Sequence, residues 1–328
     1  MKIILITPVS AQSRQGNRVT ALRWSRMLKR LGHRVTLAQH YDEASYDLMI
    51  ALHARRSFAA IVRFHHLYPD RPLLVALTGT DLYGDIHSSA EAQRSLELAS
   101  HLILLQPQGI EELPARMRQK ARVIYQSVPT PRHLPPKTQR TFDVCVLGHL
   151  RTVKDPFRTA MAARLLPATS RIRVLHIGKA LSDDMATQAK AEMASNRRYH
   201  WLGERPRWQA MRILARSRLL VLSSYSEGGA NVISEALAVG VPIVASRIAG
   251  TVGLLGEDYP GYFPVADTAT LARLLTQVES DATFYNALAA RRKCLAPLVR
   301  PGREIETWKA LLDEGQIMTA REPLGQCR

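Results

Sequence analysis

Two carboxylates stand eight residues apart in the stretch SEGGANVISE, Ser226 to Glu235, with two glycines between them. A carboxylate accepts hydrogen bonds from hydroxyls and does not bind phosphate. The mouth of a helix does the opposite: its unpaired N–H groups and positive dipole end attract an anion. Gly228 and Gly229 let the chain turn tightly and let a ligand approach the backbone closely. Read as a helix from about Gly229, capped by Gly240 and stopped by Pro242, the segment separates Glu227 from Glu235 by about 12 Å. A ligand with a diphosphate in the middle and a hydroxyl-rich ring at each end fits that spacing. Such a ligand is a nucleotide-sugar. The same residues also describe an ordinary capped helix with Glu235 facing solvent.

A second group lies in LGHLRTVKDP (147–156), where His149, Arg151 and Lys154 offer positive charge to the same diphosphate. Charge on a departing nucleotide diphosphate is what an enzyme must stabilise. The alternative is a basic surface loop. Earlier in the chain, three strand-to-helix turns are candidate anion sites. These are Ser13–Arg18, with Gly16 and Asn17 before a helix; His53–Ser57, with Arg55 and Arg56; and Thr78–Asp81, with Gly79 and Thr80. Each arginine is equally explained as a surface charge or a helix-end pair, Arg23 most readily.

No Asp-x-Asp occurs to hold a divalent ion against a diphosphate, so no metal is expected. Asp183 and Asp184 read as caps of the helix that follows. Neither G-x-G-x-x-G nor a P-loop motif appears, so dinucleotide redox and P-loop chemistry fall away and no cofactor is expected.

The elements around these residues alternate. Strands are expected at 2–7, 34–39, 47–53, 73–78, 101–106 and 122–127, with helices over 17–32, 54–66 and 88–99. The segment VPTPRHLPPKTQR (128–140) carries four prolines and reads as an extended linker. The pattern then restarts, with strands at 142–150, 171–178, 200–203, 218–224 and 242–246. Helices are expected from Pro156, over 183–195 and 207–216, and from Gly229. Helical patterns over 268–295 and 301–316 follow, with a tail at 317–328. Strands alternating with helices give an α/β protein of two doubly wound, Rossmann-like domains, 1–127 and 141–300, facing across a cleft. Ligands in such sheets sit beyond the carboxyl ends of the strands.

The bulk properties limit the partners. The 328 residues carry 45 Lys and Arg against 28 Asp and Glu, a net charge of +17. Nucleic acid, anionic lipid and small anionic substrates would each suit that charge. Aromatics are only 6% and do not interleave with basic residues, so no nucleic-acid partner is expected. No apolar run approaches the roughly 20 residues of a membrane span, and the opening MKIILITP reads as a first buried strand rather than a leader. Cys145, Cys294 and Cys327 are odd in number and far apart, which fits a reducing cytoplasm.

The run of strand, Glu-Gly-Gly, helix, second glutamate and then EALAVGVPIVAS resembles the donor site of family-4 retaining glycosyltransferases with the GT-B fold. That resemblance implies that Glu227 contacts the transferred sugar and Glu235 the ribose. Gly229, Ala230 and Asn231 would present backbone to phosphate. Two positions depart from the family. Its loop has Gly-Arg-Leu and then Lys; here His149 stands at the arginine position, Lys154 is kept, and Arg151 supplies a charge two residues on. The family often has a histidine before Gly-Thr-Asp, where this chain has Thr78.

The strings GNRVTALRW, ALHARRS, ALTGTDLY, RSLELA, RVIYQS, CVLGHLRTVKDP, EGGANVISEAL and GLLGEDYPGYFP together resemble the selenosugar synthases of selenoneine biosynthesis. This implies a UDP-sugar donor, UDP-N-acetylglucosamine (UDP-GlcNAc) or UDP-glucose, and selenophosphate as acceptor. Selenophosphate is already ionised near neutral pH and needs little general-base help. The alternative is a family-4 enzyme acting on a lipid, a polysaccharide or a small-molecule hydroxyl.

Overall fold

The computed structural model describes residues 1–9, 16–131 and 133–319. The chain divides into two compact units, one of Met1–Gln126 with Pro301–Arg328 and one of Ser127–Arg300.

The first unit is built on six parallel strands: β1 (Lys2–Ile6), β2 (Arg34–Ala38), β3 (Leu48–Leu52), β4 (Leu73–Leu77), β5 (His101–Leu104) and β6 (Ala121–Val123), in the order β2-β1-β3-β4-β5-β6. Every residue of β3 and β4 is buried, as continuous apolar runs in a sheet covered on both faces require. Helices α1 (Gly16–Arg30), α2 (Phe58–Leu67), α3 (Ile86–Ser88) and α4 (Ala90–Leu98) come from its crossovers. Side chains alternate along the strands. Ile4, Ile6, Met49, Ala51, Val75 and Leu77 join one core with Ile61 and Phe64 of α2. Ile3, Leu5, Ile50 and Leu74 join the other with Trp24 and Leu28 of α1.

The second unit repeats the plan with β7 (Phe142–Leu147), β8 (Ile172–Ile177), β9 (Tyr199–Trp201), β10 (Leu219–Leu222), β11 (Ile243–Ser246) and β12 (Tyr262–Phe263), in the order β12-β11-β10-β7-β8-β9, all parallel. Its helices are α5 (Arg158–Arg164), α6 (Asp183–Ser195), α7 (Arg207–Arg216), α8 (Asn231–Val239), α9 (Ala249–Leu255), α10 (Thr268–Ser280) and α11 (Ala282–Leu295). The last helix, α12 (Pro301–Thr319), belongs to the first unit. Its Trp308 meets Trp24 edge-to-face at 4.9 Å, and its buried Glu304 accepts from Trp24 Nε1 at 2.7 Å. Arg23 pairs with the same carboxylate at 3.1 Å.

Several boundaries differ from the sequence reading, each for a local reason. The helix expected over 54–66 begins at Phe58. His53 has a left-handed φ of 75°, and Ser57 donates its hydroxyl to Leu52 O, so 53–57 is a turn. The helix expected over 88–99 is interrupted at Ser89, whose extended backbone and side-chain bond from Ala92 N start α4 afresh. Ser182, not the aspartates, caps α6; Asp183 and Asp184 occupy its first turn, where the dipole favours them. The tail from residue 320, with Cys327, lies outside the described residues, as does Ser13.

Candidate active site

In the second unit the strand order reverses at β7, which has β8 on one side and β10 on the other. Chains leaving β7 and β10 at their carboxyl ends therefore diverge and leave a crevice, the usual ligand position in a doubly wound sheet. Those two exits carry the residues singled out by chemistry: His149, Arg151 and Lys154 after β7, and Glu227 to Glu235 after β10.

The helix α8 begins at Asn231, two residues later than expected, because Ala230 has a non-helical ψ of 95°. Glu227 is thus four residues ahead of the helix, and the straight-helix spacing of the two glutamates does not hold. No side chain caps the α8 entrance and its first turn holds no acidic residue. Gly228, Gly229 and Ala230 lead the chain in. Gly240 closes the other end with φ 80° and an amide bond to Ala236 O. An uncapped, acid-free entrance of this kind suits an anion.

Lys154 Nζ and Glu227 Oε1 form an ion pair, with only 21% and 10% of their side chains exposed. Ser224 donates its hydroxyl to the same Oε1 at 2.6 Å. Glu235 is buried, at 5% exposure, and does not face solvent. Its Oε1 accepts from Arg207 Nη1 at 2.5 Å. The sequence reading missed Arg207. It opens α7, 28 residues before its partner, so no spacing rule connects the two.

The exit from β7 is set by two close contacts. A Cβ on Gly178 would lie 1.9 Å from Gly148 O, so only glycine fits at the end of β8. His176, fully buried, holds Tyr199 Oη at 2.9 Å through Nδ1 and Gly148 O at 3.2 Å through Nε2. The Gly148 carbonyl can only accept, so Nε2 carries the hydrogen and Nδ1 accepts from the tyrosine. Burial drives the His176 pKa down to about 4.

His149 departs from its expected role as a positive charge. Burial, and then Arg151, Lys154 and Lys179, hold it below the usual histidine range against the opposing pull of Glu204. Its Nδ1 accepts from Lys179 N at 3.1 Å, so the neutral ring presents Nε2–H, a donor without net charge. Arg151 is exposed and extended ahead of the short turn Thr152–Lys154.

In the first unit, Asp81 organises the turns after β3 and β4. It is fully buried and accepts from Ala54 N at 3.1 Å and from Thr78 N and Gly79 N, both at 2.9 Å. His53 is also buried. Its Nδ1 accepts from Arg56 N at 3.4 Å and its Nε2 reaches Thr80 Oγ1 at 3.1 Å. Burial lowers its pKa, while Asp81 and Asp85 pull the other way. Arg55, expected to be available to an anion, pairs instead with Asp85 at 3.0 Å. Gly16, Asn17 and Arg18 form the first turn of α1. Arg18 Nε is buried and has no hydrogen-bond partner among the described residues. The structure therefore brings together His53, Thr78, Gly79 and Thr80. Asp81, which ties them, was read only as the edge of a turn.

Among the described residues, no group of three or more His, Cys, Asp or Glu is placed to hold a metal ion, and no helix is long and apolar enough to cross a membrane.

Comparison with known proteins agrees with this fold. Residues 132–293 match the family model of glycosyl transferases group 1. Among solved structures, Anabaena Alr3699/HepE in complex with UDP-glucose superposes with a TM-score of 0.76 at 17% identity, covering 96% of this chain and 100% of that one. Sucrose-phosphate synthase from Thermosynechococcus elongatus gives 0.72 at 16% identity, covering 98% of this chain and 100% of that one. A glycosyltransferase from Rickettsia africae gives 0.72 at 12% identity, covering 98% and 99%. A search of curated proteins finds no match. At such identities the structural likeness speaks for the fold alone. Residues 132–293 are thus similar to group 1 glycosyl transferases, and the two six-stranded parallel sheets give the chain the GT-B fold.

Proposed function

We propose that this chain moves a sugar, N-acetylglucosamine or glucose, from a UDP-sugar to selenophosphate. Selenium attacks the anomeric carbon, the carbon–oxygen bond to UDP breaks, and UDP leaves with the electron pair. The observation that carries the donor half is the Lys154–Glu227 pair ahead of the uncapped α8 entrance, on the chains that leave β7 and β10 where the strand order reverses. In this reading Glu235 accepts from the ribose hydroxyls, and Glu227 accepts from the transferred sugar. The backbone of Gly229, Ala230 and Asn231, with Lys154 and the exposed Arg151, faces the diphosphate. His149 adds a neutral N–H. UDP-glucose bound by a protein of the same fold supports the choice of nucleotide.

The acceptor half rests on the selenosugar-synthase strings and on one feature of the first unit. The imidazole beside Gly79-Thr80-Asp81 is buried and its Nε2 is taken up by Thr80, so it is not a free base. A nucleophile that is already ionised does not need one. Arg18 and the turns at His53 and Thr78 are the candidate acceptor contacts.

Purified protein incubated with UDP-GlcNAc or UDP-glucose and selenophosphate tests the reading, with UDP and a selenium-bearing sugar followed by mass spectrometry. UDP release that depends on a hydroxyl acceptor and not on selenophosphate would overturn the acceptor half and leave the donor half standing.

A further inference from the structure

Just past the end of β10 stand two adjacent serines, Ser223 and Ser224, both buried. These two hydroxyls engage different halves of the site. Ser223 donates towards the carbonyls of Asp155 at 2.9 Å and Lys154 at 3.2 Å, on the loop that carries the lysine. Tyr225 N adds a bond to Val153 O at 2.9 Å. Ser224 donates to Glu227 Oε1 at 2.6 Å.

We infer that Ser223 and Ser224 are positioning residues for the donor site, and that Ser224 selects which oxygen of Glu227 meets the sugar. The inference rests on the donor-site reading given above. Oε1 already takes both the Lys154 ammonium and the Ser224 hydroxyl. Oε2 is the oxygen left to a ligand hydroxyl. A carboxylate gripped at one oxygen loses its freedom to rotate about its last torsion, so Oε2 is aimed before the donor arrives. The grip is itself supported from behind. Ser246 Oγ donates to Ser224 O at 2.6 Å, and Thr251 Oγ1 donates to Ser246 O at 2.7 Å. Next to Thr251, Gly250 lies so close to Glu227 that a Cβ there would sit 1.9 Å from its carbonyl oxygen. β10, β11 and the start of α9 thus hold Glu227 by its side chain and its backbone at once.

A kinetic cycle in the full chain tests this, using UDP release from the UDP-sugar that the wild-type protein turns over. S224A is expected to lower kcat at least ~10-fold with the donor KM within ~2-fold, because the hydroxyl aims the carboxylate without touching the donor. In an E227Q background, S224A is expected to lower kcat no further. An unaltered kcat in S224A, or full multiplication of the two effects, would overturn the inference. S224C, of similar size with a weaker donor, is read the same way if S224A does not fold. Unfolding midpoints of the same four proteins read the grip without any substrate: coupling between the two sites is expected, and additive shifts would overturn it. If no UDP-sugar is turned over by the wild-type chain, the functional reading fails, and the midpoints still decide the grip.

Discussion

Lys154 and Glu227, 73 residues apart in the chain, meet as an ion pair ahead of the α8 entrance. The pair places one positive and one negative group at a single point of the crevice. In the proposed function the lysine serves the diphosphate and the carboxylate a sugar hydroxyl.

Removing the ammonium therefore strikes the step in which charge builds on the departing UDP. K154M is expected to lower kcat by about 10²–10³-fold, with a smaller change in donor KM. Steady-state UDP release checks it. A change confined to KM would assign the lysine to ground-state binding instead.

The Arg207–Glu235 pair sits farther from the reacting bond on this reading. In the proposed function it serves the ribose, which would be held alike in ground and transition states. R207A is expected to raise the donor KM by roughly 10-fold while kcat changes less than about 3-fold. Calorimetric titration with UDP alone is expected to show the same loss of affinity.

The sequence placed the glycine turn and Glu227 after a strand and ahead of a helix, and the structure has them after β10 and ahead of α8. The alternation of apolar runs likewise gave both sheets. What was not legible depends on contacts between distant segments. Arg207 answers to Glu235 across 28 residues. His149 counted as a charge until its burial and its bond from Lys179 N were visible. Asp81 looked like one residue of a turn, yet it gathers three amides from two loops. The late start of α8 and the break at Ser89 reflect backbone angles that propensity does not encode.

The glycine at position 250 gives a backbone test. G250A forces a Cβ against Glu227 O and is expected to cut kcat more than ~10-fold and to lower stability by about 1–3 kcal/mol. G302A meets nothing within 4 Å, lies in α12 and is expected to keep full activity. It is expected to raise stability by roughly 0.5–1 kcal/mol, by reducing unfolded-chain entropy. Activity and thermal midpoints of the two variants, side by side, separate crowding from simple loss of glycine.

Acid sensitivity follows from His176. In an unfolded chain it titrates near 6.5, and in the fold near 4. Between those values the unfolded chain takes up a proton that the folded chain refuses. Stability from this group is thus complete above about pH 6.5 and lost as pH falls towards about 4, by roughly 3 kcal/mol. His53 and His149, also held below their usual range, add to the loss with the same sign. Denaturant unfolding at pH 7.5 and 4.5 is expected to show a smaller drop for H176Q than for the wild-type chain.

The most direct measurement is UDP release by the purified chain given UDP-GlcNAc or UDP-glucose with selenophosphate, alongside E227Q. The account predicts UDP and a selenium-bearing sugar in equal amounts from the wild-type chain, and at least ~10² less from E227Q. Absence of UDP release from either donor, or release that E227Q leaves undiminished, would contradict it.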